Sequence, residues 1–319
     1  MLRLVLVLTL IGSTASAADP LPGTAPLTID QPLDVVMVAG IDRFALRELQ
    51  LSRAKRRSHW NRDYASVGAY VKSIQPNRDR FRKIIGAVDP RVKASGIELI
   101  TTTSQDSLVA ANKLYSIHTV RWPVLQGVTA AGLLLRPTAA PVARVIALPD
   151  ADWTPEMIAG IEPCDSPFAA QLASLGCEVL VPTLINRDSK FSRNDAIGRS
   201  TNLTHREFIY RQAFELGRHI IGYEVQKVLA GVDQFALLNK TDNVDLPIFV
   251  IGVSEGGLLA LYSAALDDRI NGTVVSGYFN GREGVWRQPI YRNVWNLLTE
   301  FGDAEIASMI APRPLFVEF

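Results

Sequence analysis

The fold of this chain is decided by Leu246–Gly257, which reads L-P-I-F-V-I-G-V-S-E-G-G. Its apolar, β-branched first half predicts a buried strand, and the apolar residues of Leu258–Leu266 predict a helix. Between the two lies G-x-S-x-G, and in this order of strand, motif and helix it is typical of a nucleophile elbow. The turn is so tight that its flanks tolerate little more than a hydrogen atom, which explains Gly252 and Gly256. We therefore expect Ser254 to be held above the edge of a sheet with its hydroxyl exposed.

Strand and helix patterns alternate on either side of this stretch. From Ile97 the apolar period changes to two, and Gly127 is typical of a turn between successive strands. The alternation predicts an α/β protein with a mostly parallel, doubly wound sheet covered on both faces. A glycine-rich βα turn without catalytic function is the alternative interpretation of the elbow. Gly217 and Gly222 are expected to kink or divide the long helical stretch before the elbow. The predicted strands are Leu114–Val124, Thr129–Arg136, Arg144–Asp150, Glu178–Leu184 and Asn271–Tyr278.

The N-terminal part of the chain is predicted to lie outside this sheet. Residues 1–18 combine a basic start, an apolar core and the cleavage site A-S-A, which is the pattern of a secretory signal peptide. Residues 19–95 are interpreted as an extended arm followed by a helical layer, and residues 96–319 as the α/β core. Because such a leader directs export, we expect a secreted or periplasmic protein.

Composition limits the kinds of partner. The 319 residues are 48% hydrophobic, enough for one large domain with a substantial core. Cleavage of the leader would remove one base (Arg3) and no acid, which leaves 32 basic and 32 acidic residues. This balance does not suggest a nucleic-acid or anionic-membrane partner, and no later apolar run is long enough to span a bilayer. Cys164 and Cys177 are expected to be free thiols, with a disulfide as the alternative, and they give no metal-site pattern.

Several motifs beyond the elbow point to a family. They are A-A-L-D-D-R-I directly after the elbow, the late I-A-P-R-P-L, and L-P-D-A-D-W-T-P-E before it. Together with G-V-S-E-G-G they resemble secreted bacterial α/β-hydrolases of the dienelactone-hydrolase and acetyl-xylan-esterase-like type, from roughly residue 95 to the end. The resemblance implies the α/β-hydrolase fold, ester hydrolysis and no cofactor.

The resemblance also assigns site residues. Ser254 matches the nucleophile, and the amide of Glu255 matches one donor of the oxyanion hole. In this fold the second donor comes from the loop after the third strand, here at Ala151 or Asp152, although the usual H-G-G is absent there. These parts fit the chemistry, because a serine hydroxyl is a poor nucleophile until a base takes its proton, and the oxyanion then needs preorganised N–H donors.

Two further residues are expected near the substrate. Trp153 and Arg187 lie in loops after predicted strands. Open α/β sheets bind their ligands at that edge. We therefore expect both residues, together with Asp152, to line the substrate cleft, and we expect no metal site.

The catalytic triad is incomplete in this sequence. In α/β-hydrolases the acid and then the histidine follow the nucleophile, whereas no histidine follows Ser254. The resemblance implies that the acid comes just after the strand that begins at Pro314 and the histidine one strand later, both beyond Phe319. We therefore expect a hydrolase truncated at its C-terminus, without its last strand or strands and inactive as this 319-residue chain.

Residues within the chain offer alternative triad members. His205 or His219 could serve as the base in a permuted arrangement, but the start and the surface of a helix are the favoured explanation for both. Asp303 and the pair Asp267–Asp268 follow the nucleophile and could supply the acid. They fall at helix-end and turn positions, however, where aspartate is favoured as a cap.

The sequence thus predicts a serine esterase that removes acyl groups from a carbohydrate or a similar small ester through an acyl-enzyme on Ser254. Two alternatives stay open: a non-catalytic exported binding protein with the same fold, and a prolyl-peptidase-like hydrolase. A binding protein has no need of an intact serine at the elbow. A peptidase of that kind would be preceded by a β-propeller, for which residues 19–95 are too short and too helical.

Overall fold

A computed structural model describes residues 21–25, 28–103, 106–192 and 203–319, so the predicted leader at residues 1–18 lies outside the described ranges. The described residues up to Glu48 and those from Leu49 onward form two compact units. Most of helix α1 (Leu33–Lys55) belongs to the first unit, and none of its residues is buried. Of the helices described, none has both the length and the apolarity to cross a membrane.

Residues 49–319 are organised around one mixed sheet. Its strands are β1 (Glu98–Leu99), β2 (Leu108–Ala111), β3 (Tyr115–Leu125), β4 (Val128–Pro137), β5 (Ala143–Leu148), β6 (Cys177–Pro182), β7 (Ile248–Val253), β8 (Ile270–Ser276) and β9 (Leu315–Glu318). They lie in the order β1-β3-β4-β6-β5-β7-β8-β9, and β2 also pairs with β3. The ladders from β6 to β9 are parallel, whereas β1 to β4 pair antiparallel. The predicted α/β class is therefore confirmed. Four of the eight ladders are antiparallel, so the sheet as a whole is mixed, and only the part from β6 to β9 is parallel as predicted.

The helices of residues 49–319 cover the sheet on both faces. Alternate residues of β5 belong to two separate apolar clusters, Ile146 and Leu148 to one and Val145 and Ala147 to the other. Because successive strand residues point to opposite faces, both faces of the central strand are buried. The helices are α2 (Val67–Ser73), α3 (Gln75–Ile84), α4 (Pro155–Ile158), α5 (Phe168–Ser174), α6 (His205–Phe214), α7 (Ile220–Asp242), α8 (Glu255–Leu266), α9 (Leu297–Glu300) and α10 (Asp303–Ser308).

The helical stretch before the elbow is divided into α6 and α7. Gly217 adopts a left-handed conformation with φ of 64°, and the Arg218 amide donates to the Ala213 carbonyl, which closes α6 in the way glycine commonly ends a helix. Gly222 has a different role. A side chain there would overlap the backbone of Ile85 and Gly86, so this glycine lets the end of the N-terminal layer approach α7.

Residues 49–86 pack on the core as a helical layer. Phe81 of α3 is fully buried against Tyr262 of α8 and Phe301, with ring centroids 5.0 and 5.1 Å apart. Arg56 reaches from the end of α1 to the Glu283 carboxylate at 2.8 Å and to the Leu298 carbonyl. This layer therefore supports the helices that follow the carboxyl ends of β8 and β7.

Candidate active site

The elbow has the geometry that the sequence predicts. Ser254 lies between β7 and α8 with φ of 53° and ψ of −112°, values that cost a non-glycine residue energy and that cluster at functional sites. Its amide donates to the Ser276 carbonyl at 2.8 Å, which fixes the turn against β8. A side chain at Gly252 would overlap the Gly256 carbonyl, and one at Gly256 would overlap the end of β5. The two glycines thus let the turn close and let it approach β5.

The Glu255 amide, which was expected to stabilise an oxyanion, is hydrogen-bonded to an aspartate side chain. The Glu255 N–H donates to Asp150 Oδ1 at 3.1 Å, and Asp150 follows the carboxyl end of β5. The Asp152 amide points to the other oxygen of the same carboxylate at 3.5 Å, and Ala151 is buried. The two candidates for the second donor therefore lie in the loop that meets the elbow, as the order of strands requires. The assignment of the second oxyanion donor to the amide of Ala151 or of Asp152 stays a prediction.

Arg187 joins the two loops beside the elbow. Its guanidinium contacts the carboxylates of Asp150 and Asp152 at 2.8 and 2.7 Å and the hydroxyl of Tyr291 at 2.8 Å. Burial raises the pKa of the Asp150 carboxyl. Arg187, the Glu255 amide and the nearby Ser254 hydroxyl lower it by a larger amount, so that the pKa ends well below its ordinary value. Asp150 is thus a carboxylate at neutral pH and a weak base. Trp153, the other predicted cleft residue, is half-buried and packs against the core on one face of the sheet.

The side chain of Glu255 is fully buried among arginines. Arg206 donates to its Oε1 at 2.8 Å, Arg292 to its Oε2 at 2.7 Å, and Arg187 lies 3.3 Å from the same Oε2. Burial raises the pKa of Glu255, but Arg206 and Arg292 outweigh burial and leave it below the ordinary value. A buried carboxylate of this kind is stable only while its partners stay in place.

Sequence reasoning did not identify Arg206, Arg292 or Tyr291. Arg206 lies in the first turn of α6 and is fully buried, with its guanidinium 5.0 Å from the centre of the Tyr291 ring. A charged residue in the first turn of a helix is normally solvated, so nothing local distinguishes Arg206. The one local feature that could have drawn attention to Arg206 is the segment H-R-E-F-I-Y-R, which contains it and also resembles the hydrolase family.

The two candidate histidines are bonded elsewhere. His219 caps α7 by accepting from the Ile221 amide at 3.1 Å, and its Nε2 lies 3.1 Å from the Asn293 carbonyl oxygen. Burial lowers its pKa to about 4. His205 contacts Asn186 Oδ1 through Nδ1 and accepts from the Phe191 amide through Nε2. Within the described ranges no hydrogen bond joins the Ser254 hydroxyl to a histidine, so the structure does not bring the permuted base to the serine.

The candidate acids also have other partners. Asp303 is buried at the start of α10, where it accepts from the Tyr278 hydroxyl at 3.3 Å and from the Asn280 amide at 3.2 Å, and burial raises its pKa. Asp267 pairs with Arg269 just after α8 ends. Asp267 therefore has the expected turn role, accepting from the Arg269 amide, whereas Asp303 follows the N-cap Gly302 and bonds to groups outside its helix. Cys164 and Cys177 are free thiols, and no group of metal-binding side chains occurs among the residues described.

Comparisons with known proteins agree with this architecture. No family model matches the chain. A proposed hydrolase of Bacillus subtilis, YtaP, is 29% identical over 166 residues, which are 50% of this chain and 51% of that protein. The chain thus spans about half the length of the curated relative it matches.

Solved structures are similar as well. A proposed acetyl xylan esterase from Bacteroides fragilis superimposes with a TM-score of 0.59 and 17% identity, over 81% of this chain and 70% of the other. A glucuronoyl esterase from Solibacter usitatus gives a TM-score of 0.52 and 15% identity, over 77% of this chain and 74% of the other. At such identities the likeness shows the fold alone. The chain therefore has the α/β-hydrolase fold, and the resemblance predicted from the sequence is confirmed at that level.

Proposed function

We propose that this protein is a carboxylic ester hydrolase with Ser254 as its nucleophile. The observation that carries the proposal is the elbow, where a non-glycine residue is held at φ of 53° between a buried strand and a helix. Such a conformation persists only where the surroundings enforce it, and here two glycines and the Ser276 carbonyl do so. The esterases that share the fold add support.

In the proposed reaction the Ser254 oxygen attacks the ester carbonyl carbon, a base accepts the hydroxyl proton, and the carbonyl oxygen becomes an oxyanion. The Glu255 N–H is positioned to donate to that oxyanion, a contribution of about 3–4 kcal/mol to the barrier for one such donor. Asp150 must first give up its hydrogen bond to this amide, and Arg187 remains to hold its carboxylate. The alcohol then leaves, and water hydrolyses the acyl-serine.

The source of the base stays a prediction. Both ring nitrogens of His205 and of His219 have other partners, and the low pKa of Asp150 makes it a weak base. The expectation that an acid and a histidine follow Phe319 is therefore retained as part of the proposal.

The proposed substrate is an ester of a carbohydrate, and the proposed location is outside the cytoplasm. The first rests on the names of the structural neighbours, an acetyl xylan esterase and glucuronoyl esterases. The second rests on the signal-peptide pattern of residues 1–18.

A non-catalytic binding protein is the second candidate. The observation that favours it is the Asp150 carboxylate on the Glu255 amide, because an occupied donor cannot bind an oxyanion. In that case Ser254 would be retained only for the shape of the turn.

Covalent labelling distinguishes the two candidates. A fluorophosphonate reacts with an activated serine, and intact-mass analysis measures the adduct. We expect the protein to gain one adduct at Ser254, with added imidazole accelerating the reaction if no histidine of the protein reaches the serine. Ser254→Ala should gain none. Ser263→Ala is the matched control, because this serine lies in α8, the helix that follows Ser254, with a buried hydroxyl that makes no hydrogen bond among the described residues. Equal labelling of the wild type and Ser254→Ala, or no labelling with imidazole present, would refute the esterase.

A further inference from the structure

An open groove of about 980 Å³ lies in the helical layer of residues 49–86. Its wall is formed by residues 59–64, which precede α2, by one side of α2, and by the first half of α3. The volume is at the upper end of the range for small-molecule sites, about 300–1,000 Å³. The proposed reaction makes no use of this groove, because neither the elbow nor the loop after β5 contributes to its wall.

The shape of the groove is fixed by hydrogen bonds between its walls. The Asp63 amide donates to Ser73 Oγ at 3.0 Å, which ties residues 59–64 to the end of α2. Asn77 of α3 is buried and donates through its side chain to the His59 carbonyl at 3.0 Å. The folded chain therefore forms the groove without a ligand, and such preorganisation lowers the entropic cost of binding.

Two cations of the groove carry charges that no acid neutralises. The Arg62 guanidinium is centred 4.0 Å from the middle of the Trp60 ring and donates through Nη2 to Ser308 Oγ at 3.0 Å, which fixes its position. Lys72 is exposed on α2. Among the residues described, neither Arg62 nor Lys72 forms an ion pair. An anion that enters the groove therefore meets both charges without first displacing a carboxylate from them.

The other charges of the wall do not cancel these two. Asp63 is the one acid among the described residues of the wall, and Arg80, the third cation, is paired with Glu300 at 2.8 Å. The net charge of the wall is therefore positive. Residues 53–83 as a whole contain ten basic and two acidic residues, whereas the complete chain has nearly equal numbers of each. The groove thus lies in a strongly basic part of the chain, and such a part attracts anions.

An exposed aromatic ring lines the same groove. Tyr64 is 75% exposed, and its ring stacks on that of Tyr70 with the centroids 5.6 Å apart. The Tyr70 hydroxyl donates to the Ser308 carbonyl at 2.6 Å, so Tyr64 is held against an anchored ring. An aromatic side chain of this kind offers a flat apolar surface together with a polar hydroxyl. That combination suits a ligand ring with C–H groups on its face and hydroxyls at its rim, which is the chemistry of a sugar.

We propose that this groove binds a carboxylate-bearing segment of a carbohydrate chain, at a site separate from Ser254. Arg62 and Lys72 receive the carboxylates, and the ring of Tyr64 packs against a sugar ring. The choice of a carbohydrate rests in part on the proposed function. An enzyme that acts on carbohydrate esters gains effective substrate concentration when a second site holds the same chain.

A nucleic acid is the less suitable polyanion. Its phosphates follow one another at about 3.4 Å along each strand, so that tight binding requires a long row of basic side chains. In the part of the wall that the structure describes, two cations are unpaired, and the complete chain is nearly neutral. Carboxylates on a chain whose other polar groups are hydroxyls match this small number of charges better.

The first test measures binding to the full chain by isothermal titration calorimetry. The probe is trigalacturonate, which contains no ester, so turnover does not interfere. We expect it to bind at least tenfold more tightly than the neutral xylotriose. Its affinity should fall at least tenfold when the salt is raised from about 0.05 to about 0.5 M, because exposed charges are screened. Equal affinity for the two sugars, or no binding of trigalacturonate in low salt, would overturn the inference.

The second test uses exposed positions, where a substitution does not disturb the core. Lys72→Gln and Tyr64→Ala should each weaken the binding of trigalacturonate at least fivefold. Lys113→Gln is the matched control, because Lys113 is also exposed but lies between β2 and β3, outside the groove, and this variant should bind as the wild type does. If Lys72→Gln and Lys113→Gln weakened binding equally, the protein would attract anions through its overall charge alone, and the inference would be wrong.

Two further probes identify the chemistry of the anion. Citrate carries carboxylates without a sugar ring, and a short oligothymidylate carries phosphates, and each should bind at least tenfold more weakly than trigalacturonate. Binding of either probe as tight as that of trigalacturonate would refute the carbohydrate site. The proposed function is tested separately, because the groove does not include Ser254. A protein that binds trigalacturonate but gains no adduct at Ser254 would support the groove and refute the esterase, and a protein that gains the adduct but does not bind would do the reverse.

Discussion

Two buried carboxylates in this protein, Glu255 and Glu300, are both held by arginines, but in different surroundings. The side chain of Glu255 is fully buried, and its main partner Arg206 is equally inaccessible. The side chain of Glu300 is 6% exposed, and its partner Arg80 is 45% exposed. Asn77 donates to the same carboxylate at 2.7 Å. In the first cluster the main pair is therefore shielded from water and only the outer arginines, Arg187 and Arg292, are partly exposed, whereas in the second the arginine of the main pair is itself open to water.

The groups beyond each cluster differ as well. Arg206 also donates to the Ile185 carbonyl, and Arg187 also donates to Asp150. The Glu255 cluster therefore holds the loops around Ser254. Arg80 and Asn77 continue to the His59 carbonyl, so the Glu300 cluster holds the helical layer of residues 49–86 on the core. The same pair of residue types thus positions the candidate site in one place and anchors a layer of helices in the other.

The largest effect is expected from Glu255→Gln. The change removes the near counter-charge of buried Arg206 and leaves it only the Glu224 carboxylate at 3.8 Å, and breaking a buried pair in this way costs about 3–5 kcal/mol of unfolding free energy. Urea unfolding followed by circular dichroism measures the loss. The double variant Glu255→Gln, Arg206→Met should recover part of it, because the fully buried arginine is then no longer left opposite a neutral side chain. A loss below about 1 kcal/mol in the single variant would show that water reaches the cluster.

The next effect concerns His219, which borders the Glu255 cluster. Burial lowers its pKa from the ordinary 6.5 to about 4, so between these values the unfolded chain binds more protons than the folded protein. Stability therefore falls as the pH drops from about 6.5 towards 4, by about 3 kcal/mol in full. Asparagine does not titrate and is a favoured N-cap, so His219→Asn should lose less stability over this range. Urea unfolding at pH 7, 6 and 5 compares the two proteins, and equal losses would contradict the buried, neutral imidazole.

The sequence predicted the elbow but not the cluster beneath it, and the reason is the distance along the chain. The glycines that close the turn at Ser254 lie within two residues of it, so steric reasoning on a short segment is sufficient. Arg206 and Arg292 reach Glu255 from 49 and 37 residues away. Their burial depends on how α6 and the segment after β8 pack, which no local pattern records. For Glu255 itself the sequence predicted a role of the backbone amide in the oxyanion hole and no role for the side chain.

The same limit applies to the fold. The buried strands around the elbow were predicted because their apolar runs are continuous, as strands covered on both faces require. For the helical stretch that forms α6 and α7, the sequence predicted either a kink or a division into two helices. The choice depends on Gly217, whose φ of 64° the sequence permits but does not impose. The cavity of about 430 Å³ lined by Leu125, Ile185 and Tyr223 was not predicted at all. Its walls come from elements that are distant in the sequence and meet only in the folded chain.

A smaller effect is expected from Glu300→Gln. Glutamine keeps an acceptor for Asn77 but removes the charge opposite Arg80, whose half-exposed guanidinium can turn to water. We expect a loss of about 1–2 kcal/mol, in the range of a hydrogen bond to a charged group. Urea unfolding measures it beside Glu255→Gln, and labelling at Ser254 should not change. A loss as large as that of Glu255→Gln would contradict the difference drawn between the two clusters.

The smallest effect is expected from Arg80→Gln. Arg80 makes a two-point contact with Glu300 at 2.9 and 2.8 Å, yet 45% of its side chain is exposed. Water and salt screen an open pair, so removing the arginine should cost about 0.5–1 kcal/mol, and 1 M NaCl should reduce that cost because the screening length falls to about 3 Å. The corresponding change in the shielded cluster, Arg206→Gln, should cost several times more and respond little to salt. Urea unfolding of both variants and the wild type at 0.1 and 1 M NaCl measures the loss of unfolding free energy for each variant at each salt concentration. If salt reduced the cost of Arg206→Gln as much as that of Arg80→Gln, the Glu255 cluster would be accessible to ions, and exclusion of water could not be what holds the elbow in position.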